Sequence, residues 1–216
     1  FGSLIRYTII VSAVLACLSV FGIQTTSFAA LIGAAGLAIG LAFQGTLSNF
    51  AAGVMLLTFR PFKVGDVISS KGVVGGIVEL GLFATSLDTP DNRRIIVPNK
   101  DLNGAIIENV SHHTTRRVDI NVGVDYGASI DATREALDKA AAGVKGRLKK
   151  KGHQVFLSSL GDSSVNWQVR VWCKADSYWD VWQATIQAIK ESLEGAAIGI
   201  PYPTMDVNLV GQQAAE

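Results

Sequence analysis

The N-terminal part of the sequence lacks charge: no Asp, Glu, Lys, Arg or His occurs between Arg6 and Arg60. A helix crosses the hydrocarbon core of a membrane in about 20 apolar residues, so this stretch is long enough for two crossings. Ion-coupled transporters generally place ionisable groups at mid-membrane, and the absence of such groups argues against that class. We therefore expect a membrane protein, for which an ion-coupled transporter is the less favoured class.

Cysteine and histidine are scarce, and neither occurs with the spacing of a metal site. Cys17 lies in an apolar helix and Cys173 in a predicted strand, without a CxxC pair, so no disulfide framework is indicated. His112, His113 and His153 are predicted to be surface residues. No nucleophile-base pair, phosphate loop or paired-carboxylate motif is present. We expect no metal, no cofactor and no enzymatic activity.

Charge returns at Arg60, and from Pro61 onward the sequence is an ordinary water-exposed mixture. Two crossings would return the chain to the side on which Arg6 lies, so Arg6, Arg60 and Lys63 share one side. The positive-inside rule makes that side cytoplasmic. The chain begins at Phe1 without an initiator methionine, and we expect a fragment or a processed form.

The first crossing is predicted from Arg6 to about Gly22, and the second begins near Ser27 after a short polar turn. At about 100° per residue, the second helix has a distinct composition on each side. Leu37 and Leu41 point one way, opposite a face of larger apolar residues. One flank of the two leucines carries Ala30, Ala34 and Ala38, and the other carries Gly33, Gly36 and Gly40.

Two different small flanks on one helix favour a ring of identical helices. The alanine flank of each copy can pack against the glycine flank of the next, because small residues let backbones approach closely in lipid. Leu37 and Leu41 would then face the ring axis as two hydrophobic collars, which gate water and ions by dewetting. A symmetric dimer through residues 36–40, or simple core packing, remains the alternative.

The second helix is predicted to be interrupted at Gln44-Gly45, since glycine inside a helix commonly marks a bend. Its second half, Thr46 to Thr58, is predicted to be interfacial. Gly53 is either a further flexible point or a site of close packing. Pro61 ends the helix. The apolar face predicted for the second half consists of Leu47, Phe50, Ala51, Val54 and Leu57.

The water-exposed part divides into a β segment and an α/β segment. Short alternating runs between Phe62 and Val110 indicate a small β barrel or sandwich. From Thr115 the predicted order is β-α-β-β-α-β, that of a ferredoxin-like split unit, and its last strand is Met205 to Val210. The β segment has no basic stripe, so we expect no nucleic-acid partner. Arg147, Lys149, Lys150 and Lys151 are interpreted as a solvated helix end.

The run from Gly33 to Gly53, followed by Phe59-Arg60-Pro61-Phe62-Lys63-Val64-Gly65-Asp66, resembles the pore helix and exit of the small-conductance mechanosensitive channel (MscS) family. Ile96-Val97-Pro98-Asn99 and Ile200-Pro201-Tyr202-Pro203 resemble later motifs of that family. The resemblance implies a homoheptamer in which Leu37 and Leu41 form the constriction. It also implies a kink at Gln44-Gly45, a second bend at Gly53, and coupling of the pore helix to the preceding helices through Phe43 and Leu47.

The fold implied is a membrane α-helical pore with cytoplasmic β and α+β parts. The segments expected are residues 1–22, a transmembrane helix; 23–60, a pore-lining kinked helix; 61–110, an Sm-like β barrel; 111–202, a ferredoxin-like α/β domain; and 203–216, a C-terminal strand that forms an oligomeric barrel.

The function implied is a weakly selective ion channel that membrane tension opens, releasing ions and small osmolytes on hypo-osmotic shock. Its expected partners are further copies of the chain, membrane lipids and the permeating solutes. The expected location is the bacterial inner membrane, with an organelle membrane as the alternative. An ion-coupled or constitutive transporter, and a membrane-anchored interaction protein, are the competing functions.

Overall fold

A computed structural model describes residues 2–22 and 24–205 of the chain. Two long helices come first: α1, Gly2–Val20, and α2, Thr26–Phe59. Among the described residues, α2 is the one helix long and apolar enough to cross a membrane by length and composition, and α1 contains the shorter apolar stretch Ile5–Val20. None of the most apolar 18-residue window of α2 is buried within the chain.

Helix α2 ends where the sequence predicts. Arg60 adopts the left-handed conformation, with φ 46° and ψ 57°, and its N–H donates to the Leu56 carbonyl at 3.0 Å. Pro61 disfavours the helical conformation in the residue before it, so the helix cannot continue through Arg60. A left-handed residue after the last turn satisfies a carbonyl that would otherwise lack a partner.

An antiparallel five-stranded sheet follows α2. Its strands are β1 Val67–Ser70, β2 Val73–Leu80, β3 Ala84–Asp88, β4 Arg94–Pro98 and β5 Glu108–Asn109, in the order β4-β3-β2-β1-β5. The short helix α3, Asn99–Asn103, directly follows β4. Leu56 from α2 belongs to the same buried cluster as Phe62, Ile68, Ile77 and Leu87. The end of the apolar helix is therefore part of the hydrophobic core of this sheet.

The chain divides into two compact units, and the second begins at Ser111. Its strands β6 Thr115–Val124, β7 His153–Leu160 and β8 Val165–Lys174 form an antiparallel sheet in the order β6-β8-β7. Helices α4 Ile130–Gly143 and α5 Tyr178–Gly195 share one buried cluster with the apolar residues of this sheet. The described elements follow the predicted order β-α-β-β-α. Met205 carries no strand, and the rest of the predicted last strand, residues 206–210, lies outside the described residues.

The histidines are placed largely as predicted. His112 and His113 are exposed, whereas His153 is partly buried, with its Nε2 3.2 Å from Asp138 Oδ1 of α4. The interpretation of His153 as a plain surface residue therefore needs correction: the start of β7 lies against α4, which gives the imidazole a carboxylate partner.

Candidate functional site

The two predicted constriction leucines lie on the uncovered surface of α2. Leu37 is 66% exposed and Leu41 is 62% exposed, one helical turn apart. Ile39, between them on the opposite side of the helix, is 60% exposed. Large apolar side chains exposed on every side of a helix require cover from lipid or from further protein.

The glycine flank of α2 has open space beside it within one chain. A Cβ built on Gly33, Gly36 or Gly40 meets no atom within 4 Å. Gly33 differs from the other two, because it lines a groove of about 490 Å³ between α1 and α2. Residues of α1 that line the same groove are Tyr7, Thr8, Val11, Ser12 and Leu15. The flank at Gly33 thus faces α1 of its own chain, whereas Gly36 and Gly40 are free for another neighbour.

The alanine flank is also uncovered: Ala30, Ala34 and Ala38 are all exposed. Phe43 and Leu47, predicted to couple the helix to its neighbours, are 62% and 66% exposed. These side chains have a large apolar area to bury and bury little of it within the chain. Both flanks and both leucines are therefore left uncovered by the chain itself.

The predicted interruption at Gln44-Gly45 is not a break in the helix. Residues 26–59 form one α-helix, and Gly45 retains its helical conformation. Glycine weakens a helix by about 1 kcal/mol relative to alanine but removes no backbone donor, so the hydrogen bonds can continue. Asn49 Nδ2 donates to the Gly45 carbonyl oxygen at 3.0 Å. The bend at this position remains a prediction.

The second half of α2 packs against α3 and the turn between β2 and β3, and Gly53 lies close to both. A Cβ at Gly53 would overlap the Leu82 carbonyl oxygen and lie 2.6 Å from Asn99 Nδ2. Of the two interpretations of Gly53, the structure provides a direct reason for close packing. The buried residues of this half are Ala52, Gly53 and Leu56. This contact uses a different face of the helix from the predicted apolar one, because small residues permit the close approach that larger ones would prevent.

Two asparagines hold this junction, and the sequence did not identify their roles. Asn49 Oδ1 accepts from the Lys100 backbone N–H at 3.1 Å, which satisfies a donor in the first turn of α3. Asn99 is fully buried; its Oδ1 accepts from Thr85 Oγ1 at 2.8 Å and its Nδ2 donates to the Gly81 carbonyl at 2.9 Å. An amide within an otherwise apolar helix was the available signal for Asn49.

Titratable groups with an altered pKa include Asp88 of β3 and Cys173 of β8. The Arg94 guanidinium donates to Asp88 at 2.9 and 3.1 Å and holds the pKa of that carboxyl below its usual value. Burial raises the pKa of the Cys173 thiol. Among the residues that the structure describes, no three His, Cys, Asp or Glu side chains are grouped as a metal site would require.

Sequence comparison covers nearly the whole chain. Residues 3–44 match "Mechanosensitive ion channel, transmembrane helices 2/3", residues 45–112 match "Mechanosensitive ion channel, beta-domain", and residues 118–200 match "Mechanosensitive ion channel MscS, C-terminal". The small-conductance mechanosensitive channel of Edwardsiella ictaluri (strain 93-146) is 44% identical over 208 residues, which are 96% of this chain and 73% of that protein. The corresponding channel of Helicobacter pylori (strain UM084) is 31% identical over 209 residues, 96% of this chain and 76% of that protein.

Solved structures give the same result. The closed-state crystal structure of Helicobacter pylori MscS superimposes with a TM-score of 0.87 at 30% identity, over 97% of this chain and 83% of that one. The cryo-EM structure of Arabidopsis thaliana MSL1 has a TM-score of 0.74 at 18% identity, over 93% of this chain and 75% of that one. At that identity the second comparison shows a shared fold alone.

Proposed function

The chain belongs to the MscS family of mechanosensitive ion channels, and on that premise we propose that α2 lines the pore of a homoheptamer, with Leu37 and Leu41 as its constriction. The protein is accordingly a membrane-embedded, oligomeric channel, as the sequence predicted. Its family is not an enzyme family. The competing transporter and anchor functions have no comparable support.

One observation carries the proposed pore: α2 has two exposed leucines flanked by two different exposed small surfaces. The alanine flank and the glycine flank leave room for head-to-tail contact between neighbouring copies. In a ring of identical helices, the leucines of all copies either face the ring axis or face away from it. We propose the inward orientation, in which the leucines narrow the pore and the larger apolar residues on the opposite face contact lipid or the outer helices.

The proposed gating depends on the membrane area that the ring occupies and on the wetting of its pore. An inward-facing pair of leucine collars excludes water from a narrow pore and so blocks ions without a moving plug. An open ring occupies more membrane area than a closed ring, so tension favours the open state by the free energy that the area difference supplies. Gln44 and Gly45 are proposed as the position where α2 bends, and Phe43 and Leu47 as its contacts with the outer helices. A second bend at Gly53 would require α2 to move away from the Leu82 carbonyl, against which it is closely packed.

We place the channel in the bacterial inner membrane with both sheets in the cytoplasm. Arg6, Arg60 and Lys63 flank the two membrane helices on one side, and cytoplasmic flanks carry an excess of such cations. The permeating species proposed are small ions and osmolytes with little selection, since no charged side chain lies along the part of α2 between Leu37 and Leu41.

Patch-clamp recording in liposomes under graded suction tests the constriction with a matched pair of variants. Leu41→Ser should wet the collar and lower the opening tension or produce a leak, because a hydroxyl hydrates a narrow apolar pore. Ile39→Ser introduces the same change on the opposite side of the helix at nearly the same depth. It should leave conductance and opening tension near those of the parent chain.

Equal effects of the two serine variants would remove Leu41 from the pore, as would an unaltered Leu41→Ser channel. Native subunit composition should be checked in both, because a serine that disturbs assembly would also change the currents.

A further inference from the structure

The sheet of the second unit has one face covered by helices and one face open. Val118, Ile120, Val169 and Val171 point to the buried cluster beneath α4 and α5. Because side chains alternate along a strand, the residues between them point to the other face. That open face carries, among others, Arg117 and Asp119 on β6 and Arg170 and Trp172 on β8.

Arginine and lysine residues lie close together at one end of this open face. Arg117 is the strand partner of Trp172, and its guanidinium carbon lies 6.0 Å from the centre of the Trp172 ring. Lys151 Nζ lies 4.4 Å from the same ring and donates to Thr115 Oγ1 at 2.8 Å. Thr115 is the strand partner of Lys174. The basic surface so defined comprises Arg117, Lys149, Lys150, Lys151 and Lys174.

The lysines of the basic surface are not neutralised within the described residues. Arg117 forms a bidentate pair with Asp119, at 2.7 and 2.9 Å, but no ion pair there joins Lys149, Lys150, Lys151 or Lys174 to a carboxylate. The backbone holds them together, because residues 149–151 form a single 3₁₀ turn and the preceding Leu148 N–H donates to the Trp172 carbonyl at 2.6 Å. A group of ammonium charges that no carboxylate neutralises within the described residues attracts a multivalent anion.

The interpretation of residues 147–151 as one helix end holds only for Arg147, whose Nε donates to the Ala142 carbonyl at the end of α4. The three lysines that follow belong instead to the sheet edge. They thus form a feature that the channel function does not use.

We propose that the basic surface binds anions that carry several phosphate groups. Ammonium groups act as compact charges suited to phosphate oxygens, and several lysines spread over a turn and a strand end match an extended polyphosphate better than a single carboxylate. Lys151 Nζ already lies over the Trp172 ring, so we infer that the phosphates rather than a nucleobase are recognised. Recognition therefore depends on the phosphates alone.

Titration calorimetry of the full chain in phosphatidylcholine nanodiscs, with inorganic tripolyphosphate as the probe, tests this proposal. The parent chain should show saturable binding that weakens as salt is raised. Lys150→Gln/Lys151→Gln should weaken binding by about ten-fold, the effect of losing charge-assisted contacts. The control Lys139→Gln/Lys190→Gln removes the same charge from α4 and α5 and should change the affinity by less than about two-fold.

Adenosine triphosphate should bind about as tightly as tripolyphosphate, and adenosine should not bind. Absence of binding by the parent chain, or equal loss in the two double variants, would overturn the site. Much tighter binding of adenosine triphosphate than of tripolyphosphate would overturn recognition by phosphate alone and point to a nucleotide site. The four substituted lysines are exposed, so we expect both double variants to fold. Circular dichroism and size exclusion check this.

Discussion

At the scale of single residues, glycine has opposite meanings at different points of α2. At Gly36, Gly40 and Gly45, open space surrounds the missing Cβ, whereas at Gly53 the Leu82 carbonyl fills it. The first three glycines are free to serve contacts outside the chain or a change of helix shape. Glycine is required at position 53 by contacts inside the chain, because any larger residue would push α2 away from the Leu82 carbonyl.

Gly53→Ala should therefore destabilise the junction between α2 and the sheet by about 1–3 kcal/mol, the usual cost of overpacking. Gly45→Ala adds the same methyl group to the same helix in open space, and should be neutral or stabilising by up to about 1 kcal/mol. Thermal unfolding of the two variants in detergent checks the difference. The packing role of Gly53 would be refuted if the two variants unfolded at the same temperature.

At the scale of elements, the two halves of α2 differ. The first half is apolar and uncovered, whereas the second half packs against the rest of the first unit. The second half contributes Leu56 to the core and Asn49 to the first turn of α3. The same Asn49 side chain also contacts the Gly45 carbonyl, four residues back. A change in the direction of α2 near Gly45 would therefore act on α3 through the side-chain amide of Asn49.

Asn49→Ala should free the Lys100 N–H without disturbing the core. Loss of one hydrogen bond of this kind costs up to about 1.4 kcal/mol. A cost of that size corresponds to roughly ten-fold faster amide exchange. Hydrogen-exchange mass spectrometry of the segment containing α3 measures this. Asn49→Asp retains the acceptor for Lys100 but loses the donor to Gly45, so its α3 segment should exchange near the parent rate. Equal exchange in all three proteins would show that this bond does not hold α3.

At the scale of the whole molecule, the chain presents more apolar surface than it can bury by itself. Lipid and neighbouring copies must cover α2, and we propose that the copies meet at the two small flanks. Family membership makes the protein an oligomeric channel; the contact through Gly40 is our proposal. Bulk at the contact should act on assembly, since a leucine side chain would keep neighbouring backbones apart.

Gly40→Leu should lower the fraction of complete rings, or raise the opening tension of those that form, as measured by native mass spectrometry and patch clamp. Helix propensity cannot cause the loss, because leucine is the better helix former. Ala35→Leu adds bulk on the side of α2 away from both flanks and should assemble normally. A Gly40→Leu protein with the parent stoichiometry and threshold would contradict the proposed contact.

Most secondary-structure elements of this protein follow from local sequence patterns. Charge, apolar length and the helical period are local properties, so they defined the membrane helices, the leucine pair with its two small flanks, and the end of α2 at Pro61. Strand alternation similarly predicted β1 to β4 and the β-α-β-β-α order of the second unit. By contrast, the buried face of the second half of α2 and the need for glycine at position 53 depend on contacts made only in the folded chain. Asn49 and Lys100 are 51 positions apart, and such partners are chosen by the fit of distant backbones rather than by local pattern.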